Sequence, residues 1–536
     1  MAKKDPVFSW KAYGLLLLLA IGLAIDFRFP YLDGRAMHTD EAILGMKFIE
    51  FWKSGHFAYD PRDYHGPGLH WITRVIGTIS GWDGPEALTE TKLRLVPAIC
   101  GMLLVLSTLL LGGALGRLAT AVAMLLMAVS PMQVFYSRYF IMEVPFVLMV
   151  AVFIAACWRY ARSSNLLWLI VAGIALGFQH ATKETFVLNL AAAAAGWLAA
   201  RFIAGGFAPK QDNRLRLTSG KKGGRRVWLW VLVPAVLVSI TLYSSLFKDW
   251  QAVRDSITTY GHYLERSSGS GHEKPWHYYI TLLVYRDMGV VWSEGLIMLL
   301  ALVGMGYAFL AEHRDTSRQS FLIFLSVYAV SLLGGYSLLA YKTPWSILAA
   351  QHAFILLAGL GAAVVWSAVR RGFYGRVVAS SLLGIGVWHL CQQTHHAIHE
   401  YRSSEERNPY VYSHTTSTLL SLLDSVGKLE KTAAEKLPDT PFSVQVINQD
   451  EGWPLPWYLR NKSHVGFQSR VPEVIDAPVI IVDSDLAGQL ESKLGDRVYN
   501  KDTISSLRPG IVLVMFVEAK LWQEHIGYLS PQLQKP

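Results

Sequence analysis

The sequence predicts a mainly α, polytopic transmembrane helical bundle of about eleven spans, followed by a small C-terminal α/β domain. Three observations carry this. Of the 536 residues, 52% are hydrophobic and only 17% are charged, against about 25% charged in ordinary soluble domains. The apolar residues fall in runs long enough to cross about 30 Å of hydrocarbon as helix. After residue 400 the pattern changes to short apolar runs separated by polar helices.

The spans are read by length and hydropathy at approximately 12–28, 95–116, 118–136, 140–160, 165–181, 185–203, 227–247, 290–311, 320–340, 346–369 and 377–397. The first carries lysines before it and no small-residue cleavage site after it, so it reads as an uncleaved span. Cys100, Cys157 and Cys391 lie inside apolar runs and form no disulfide framework or metal-type spacing. With the N-terminus in the cytoplasm, the inner linkers hold Arg117, Arg159, Arg162, Arg314, Arg318, Arg370, Arg371 and Arg376, and the basic loop 204–226. That is the positive-inside pattern. It accounts for the net charge of +9 without nucleic acid, and it predicts an inner-membrane protein whose C-terminal domain is extracytoplasmic.

The opposite side receives residues 29–94, the turns 137–143, 182–185 and 341–345, the loop 248–289 and everything after 398. The domain boundary is read at 399/400. In the C-terminal part, Thr415–Lys436 has helical periodicity, and Phe442–Asn448, Pro478–Asp483 and Ile511–Val517 read as buried strands. Asp485–Gly495 reads as a helix between strands. Alternation of this kind suggests an α/β layer. No Gly-rich phosphate loop follows any of these strands.

The outer segments hold the candidate chemistry. His38-Thr39-Asp40-Glu41-Ala42 opens an amphipathic helix, Ala42–Trp52, with Ile43, Phe48, Phe51 and Trp52 available to lie on the membrane. An acid here meets free N–H groups at a helix start. An ionisable group at the edge of hydrocarbon is also costly unless something needs it. Tyr59-Asp60-Pro61-Arg62-Asp63-Tyr64-His65-Gly66-Pro67-Gly68 is a turn-rich loop that clusters Asp60, Asp63 and His65. Arg138 and Glu143 flank a junction between spans, with Glu143 read as one and a half turns into an apolar helix, facing a cavity or a cation. Thr182-Lys183-Glu184-Thr185 and Tyr341-Lys342-Thr343-Pro344-Trp345 are short turns. Their lysines on the outer side ask for an anionic ligand. The loop 248–289 adds His262, His272, Trp276, His277, Arg286 and Asp287, with a flexible Ser267–Gly271 stretch suited to a lid. His389, His395, His396 and His399 close the last span. His395 and His399 stand at i, i+4, a spacing that binds metals. No third ligand is positioned by the sequence, and interfacial aromatic-like residues account for the cluster.

Outer cations Arg138, Lys183 and Lys342 together with acids suit a substrate with a phosphate at the headgroup level and a tail in the bilayer. A polyprenyl-phosphate sugar has that form. Its phosphate leaves without a proton, and fixed cations stabilise the charge that develops on it. One carboxylate then suffices as base on the acceptor hydroxyl, where a glycosidase needs two. Attack opposite the phosphate inverts the anomeric centre.

The order of these pieces, namely His38–Ala42, the amphipathic helix, Tyr59 and Tyr64-His65-Gly66-Pro67, Ser137-Arg138, and Tyr341–Trp345, resembles the membrane glycosyltransferases of the GT-C superfamily. The branch it resembles is the protein-mannosyltransferase-like group that includes the archaeal flippase-activity-associated proteins. Trp453-Pro454-Leu455-Pro456-Trp457-Tyr458-Leu459-Arg460 and Leu507-Arg508-Pro509-Gly510 are similar to that branch as well. The resemblance implies a GT-C-like module at 1–399 with a large first outer loop, 29–94. It implies a lipid-linked sugar donor, a glycan, lipid or protein acceptor, Asp40 as base and Glu41 as its neighbour. By the same resemblance Arg138, Lys183 and Lys342 contact the phosphate or sugar; His65, Glu143, Glu184 and Arg286 are read as further substrate-binding residues from their place among the outer constellations. Metal-dependent relatives carry Asp-x-Asp in the first loop and some a second acid beside the Glu143 position. Here Asp40 and Glu41 are adjacent and Val144 follows Glu143, so a divalent-metal cofactor finds no supporting motif. Two other readings stay open: a flippase or transporter of lipid-linked sugar, and a non-catalytic assembly subunit with the same fold.

Overall fold

A computed structural model describes residues 9–62, 65–206, 226–266, 273–311, 315–369, 372–449, 452–495 and 497–533. The sequence features at Asp63, Tyr64, His272, Ser267–Gly271, Arg314, Arg370, Arg371 and nearly all of the basic loop lie outside the described residues, as does the His262 side chain. The chain divides into two compact units. One is Met1–Leu32 with Phe48–Tyr401, and the other is Asp33–Lys47 with Arg402–Pro536. The acid-bearing stretch of the first outer loop is therefore grouped with the C-terminal residues rather than with the spans.

The helices run in chain order. They are α1 (Trp10–Arg28), α2 (Thr39–Ser54), α3 (Gly68–Ile79), α4 (Glu90–Ser107), α5 (Gly112–Leu115), α6 (Arg117–Val129), α7 (Pro131–Tyr136), α8 (Glu143–Ser163), α9 (Leu167–His180), α10 (Phe186–Ile203) and α11 (Leu229–Tyr243). There follow α12 (Trp250–Arg266), α13 (Tyr278–Val284), the hairpin β1 (Arg286–Asp287) and β2 (Val291–Trp292), α14 (Gly295–Leu310), α15 (Thr316–Leu338), α16 (Leu348–Val369) and α17 (Phe373–His395). Each of the eleven expected spans has a helix or a helix pair in its place. Among the described residues six helical stretches are long and apolar enough to cross a membrane, and four more are shorter and apolar.

The spans pack through small residues. At the α14–α16 crossing, a Cβ on Gly304 would meet the Leu357 carbonyl oxygen at 2.2 Å, and one on Gly361 would meet that of Leu300 at 1.9 Å. Close backbone approach of this kind is how helices associate where no hydrophobic effect drives them together. Arginines satisfy the carbonyls that helix ends leave open. Arg28 donates to the carbonyls of Met127 and Ala128 at 2.9 and 3.0 Å, near the end of α6, and Arg318 donates to those of Ala114 and Leu115 at 2.7 and 3.1 Å, at the end of α5. Arg318, read from the sequence as a topology signal, thus also serves as a helix cap.

Two sequence expectations in this unit are corrected. Phe48 and Phe51 do not lie on the membrane. Both are buried, with Phe51 edge-on to Trp71 at 4.9 Å and Phe48 against His70 at 6.3 Å, so α2 packs on the unforeseen helix α3. Glu143 is the first residue of α8 rather than part of its interior. The chain from Arg138 to Met142 is a turn, and Pro145 favours the first helical turn, where its missing N–H costs nothing.

In the other unit, α18 (Thr418–Lys436), β3 (Val444–Ile447), α19 (Leu455–Leu459), β4 (Val465–Gln468), β5 (Val479–Asp483), α20 (Ser484–Leu494), β6 (Tyr499–Arg508), β7 (Ile511–Glu518) and α21 (Ala519–Leu533) follow. The sheet order is β4-β3-β5-β7-β6, parallel on the β3 side and antiparallel at β7 and β6. Val479 and Ile481 pack with Leu422 and Val426 of α18, whereas Ile480 and Val482 pack with Leu486 and Leu490 of α20. Alternate side chains point to opposite faces. Both faces are covered, which is why β5 reads as an unbroken apolar run.

Candidate functional site

The start of α2 is built as a reciprocal cap. His38 precedes the helix, and its Nδ1 accepts the Asp40 backbone N–H at 3.1 Å. Glu41 reaches back to accept the His38 N–H at 3.0 Å. Two free helix donors are satisfied, as in a capping box. His38 Nε2 stands 3.1 Å from the Tyr412 carbonyl. A carbonyl only accepts, so the proton sits on Nε2 and Nδ1 is the acceptor. The Tyr458 hydroxyl accepts the Met37 N–H at 2.8 Å, and Arg508 donates to Thr39 Oγ1 at 3.3 Å. The two C-terminal motifs, Trp453–Arg460 and Leu507–Gly510, thus contribute Tyr458 and Arg508 to holding the segment before Asp40.

The two adjacent acids have opposite environments. The Glu41 side chain is fully buried and takes both ends of the Arg35 guanidinium, at 2.7 and 3.2 Å. The Asp40 side chain is 49% exposed, and its Oδ2 lies 3.8 Å from His38 Nδ1, which as an acceptor has no proton to offer it. Glu41 was expected beside Asp40 as a catalytic neighbour. In the structure its carboxylate is taken up by Arg35 and the His38 N–H.

In the unit of spans, the turn between α9 and α10 carries a four-charge cluster. Lys183 Nζ donates to Glu143 Oε1 at 2.5 Å, and His65 Nδ1 stands 2.5 Å from Glu184 Oε2. Glu143, Lys183 and Glu184 are all buried. The second Glu143 oxygen has no hydrogen-bond partner among the described residues. The glycines of His65-Gly66-Pro67-Gly68 set this contact. Gly68 N–H donates to the Ala181 carbonyl at 2.6 Å. A Cβ on Gly66 would lie 2.4 Å from that oxygen, and one on Gly68 would lie 2.2 Å from Thr182 Oγ1. Only glycine lets the loop lie flat on the turn and bring His65 to Glu184.

Burial disfavours a charged His65, and the Glu184 carboxylate overrides that, so the imidazole is pushed up from its ordinary value of 6.5. Burial favours a neutral Glu184, but the His65 charge and hydrogen bond hold its carboxyl below the ordinary 4.5. The His65 contribution to stability is complete below 6.5 and is lost as pH rises through its raised value. The Glu184 contribution is complete above 4.5 and is lost as pH falls through its lowered value. A comparison of thermal unfolding for wild type and His65→Ala across pH should therefore show the largest gap between pH 4.5 and 6.5. A gap independent of pH would remove the ion pair as its cause. Nearby Tyr59 rests edge-on against Tyr243 at 5.0 Å, and burial pushes its phenol up to about 12.

The other expected contacts separate. Lys342 is buried; its ammonium donates to the Lys274 carbonyl at 3.0 Å and to that of Leu339. Among the described residues no carboxylate lies within ion-pair distance of it, and burial pushes its pKa down. Arg138 donates to the carbonyls of Phe27, Pro30 and Tyr31 at 3.1, 2.8 and 2.9 Å, closing the end of α1. Arg286 lies on β1 with its guanidinium 5.7 Å from the Tyr278 ring centre. Asp60 accepts the Arg62 N–H at 2.9 Å in a local turn.

Sequence reading missed Glu294. It is fully buried and accepts from Ser130 Oγ at 2.8 Å and the Met132 N–H at 3.1 Å, at the start of α7, and from Gln351 as well. The signal was available: Ser130-Pro131 is a helix-start pair, and an acid inside an apolar run needs donors. The sequence likewise gave no third partner for the histidines after α17. Glu400 supplies one, 2.8 Å from His396 Nδ1 and 3.7 Å from His395 Nδ1.

Residues 75–252 match the family model described as dolichyl-phosphate-mannose-protein mannosyltransferase. No curated protein matches the chain. The fold is similar to the crystal structure of ArnT from Cupriavidus metallidurans bound to undecaprenyl phosphate, with a TM-score of 0.60 at 16% identity over 95% of this chain and 99% of that one. The apo structure of the same protein gives 0.59 at 15% identity, with the same shares covered. The chain has a GT-C superfamily, protein-mannosyltransferase-like fold.

Proposed function

We propose that this chain, with its GT-C fold, is a membrane glycosyltransferase that moves a sugar from a polyprenyl-phosphate donor to a hydroxyl of a glycan, lipid or protein outside the cytoplasm, with inversion and with Asp40 as base. The observation that carries the reading is the contrast at the start of α2. The cap and the Arg35 pair immobilise Glu41, and they leave Asp40 half exposed on a fixed backbone. A general base needs a free carboxylate in a fixed place. The match of 75–252 to a sugar-transferring family supports the chemistry. The ArnT neighbour is described as binding undecaprenyl phosphate, which supports a lipid-phosphate donor.

The residues divide the work. Asp40 takes the acceptor proton as the new C–O bond forms. The sugar–phosphate bond breaks, and the electron pair leaves with the phosphate. Cations stabilise that charge. The Lys183 charge is already matched by Glu143, whereas Lys342 is held by carbonyls alone, so an arriving phosphate supplies the counter-charge that Lys342 lacks. Replacing Lys342 by Ala should raise the Kd for labelled polyprenyl-phosphate sugar roughly ten- to hundred-fold, the loss of one charged hydrogen bond, with acceptor preference retained. Equal donor affinity in variant and wild type removes Lys342 from the donor site.

A further inference from the structure

We propose that His395, His396 and Glu400 form a divalent-metal site at the end of α17. Helix α17 ends at His395, and the chain continues through one π-helical turn, His396–Glu400. Single π turns are rare and gather at functional sites. Neighbouring residues on an α-helix point about 100° apart, so His395 and His396 alone do not converge. The wider turn brings Glu400 under both. Its Oε2 is 2.8 Å from His396 Nδ1, and its Oε1 is 3.7 Å from His395 Nδ1. The three ligand atoms all lie within 4.8 Å of one another.

A tetrahedral ion with bonds of about 2.0–2.2 Å holds its donors roughly 3.3–3.6 Å apart. The group therefore needs only small side-chain rotations to close on a metal. The rings are also supported. His396 stacks on Tyr401 at 5.7 Å, and His395 packs against His399 at 4.7 Å. His395 and Glu400 are about half exposed, so an ion reaches them from solvent.

Two imidazoles and one carboxylate select zinc among the common ions, with nickel and copper as competitors. Magnesium and calcium prefer oxygen donors. Binding replaces the His396–Glu400 hydrogen bond by two bonds to the metal and releases any proton on the ligating nitrogens. Three protein ligands leave a fourth position for water. This site owes nothing to the donor chemistry proposed above, and it stands or falls separately.

The test uses full-length protein without a histidine tag, stripped with chelator and dialysed against Zn²⁺ alone. Co²⁺ uptake, read by its visible absorption, reports the coordination. Wild type should take up one tight ion per chain, and the metal should raise its thermal midpoint. His396→Ala and Glu400→Gln should each weaken uptake at least ten-fold and abolish the shift. His389→Ala, which lies outside the group, should keep both. Both ligand substitutions are on exposed or half-buried side chains, and metal-free unfolding checks that they fold. No tight uptake by wild type, or uptake unchanged by either substitution, overturns the site.

Discussion

Asp40→Asn should reduce sugar transfer by about 10²- to 10⁴-fold, the usual contribution of a positioned general base, with no change in expression or thermal unfolding. The reasoning starts from the cap. Asn keeps the size of the side chain and a good helix-start residue. The backbone N–H of residue 40 still meets His38 Nδ1, and Glu41 still meets Arg35. Only the proton acceptor disappears. Donor affinity should be untouched, because the base acts on the acceptor. Transfer at the wild-type rate in Asp40→Asn would remove Asp40 from the chemistry.

Substitution of the neighbouring acid should behave in the opposite way. Glu41→Ala leaves the Arg35 guanidinium buried without its carboxylate, which costs about 3–5 kcal/mol, and it also frees the His38 N–H. Thermal unfolding of the purified protein should move down strongly, with activity falling as a consequence. Glu41→Gln separates the two effects. It keeps an acceptor for the His38 N–H and loses only the charge. Pairing the substitution with Arg35→Met removes the stranded cation, and it should recover part of the loss, because replacing both members of a buried pair is far milder than breaking it. A Glu41→Ala protein as stable as wild type would show that Arg35 and Glu41 do not hold the start of α2.

The different fates of these neighbours mark where sequence stops being informative. Hydropathy found a helix at each of the eleven positions; ten of these, all but α17, belong to the long or shorter apolar helices, as spans that satisfy their backbone internally should. It found β5 because that strand is buried on both faces. It missed β6, whose Asn500-Lys501-Asp502 segment is polar on an outer strand, and α3, which hides behind the turn-forming Gly66-Pro67. The motif His38–Ala42 was legible as special. Nothing in it says that residue 41, about 100° around the helix from residue 40, meets an arginine six positions earlier. Arg138 read as a phosphate contact because it is a cation among outer residues. Three-dimensional placement shows it against main-chain carbonyls near the end of α1. His65-Gly66-Pro67-Gly68 read only as part of a turn-rich loop; that its glycines let it lie against the Ala181 carbonyl is visible in the structure alone.

The proposal that this chain transfers sugar is tested most directly by the fate of the bond between sugar and lipid phosphate. Purified protein is incubated with a polyprenyl-phosphate sugar, labelled in the sugar, and with candidate acceptors, and the products are separated and their anomeric configuration is determined. The account predicts that label leaves the lipid, appears on a hydroxyl acceptor with inverted configuration, and stays on the lipid with Asp40→Asn. Label that crosses a bilayer still joined to its phosphate, in wild type and variant alike, would make the protein a transporter.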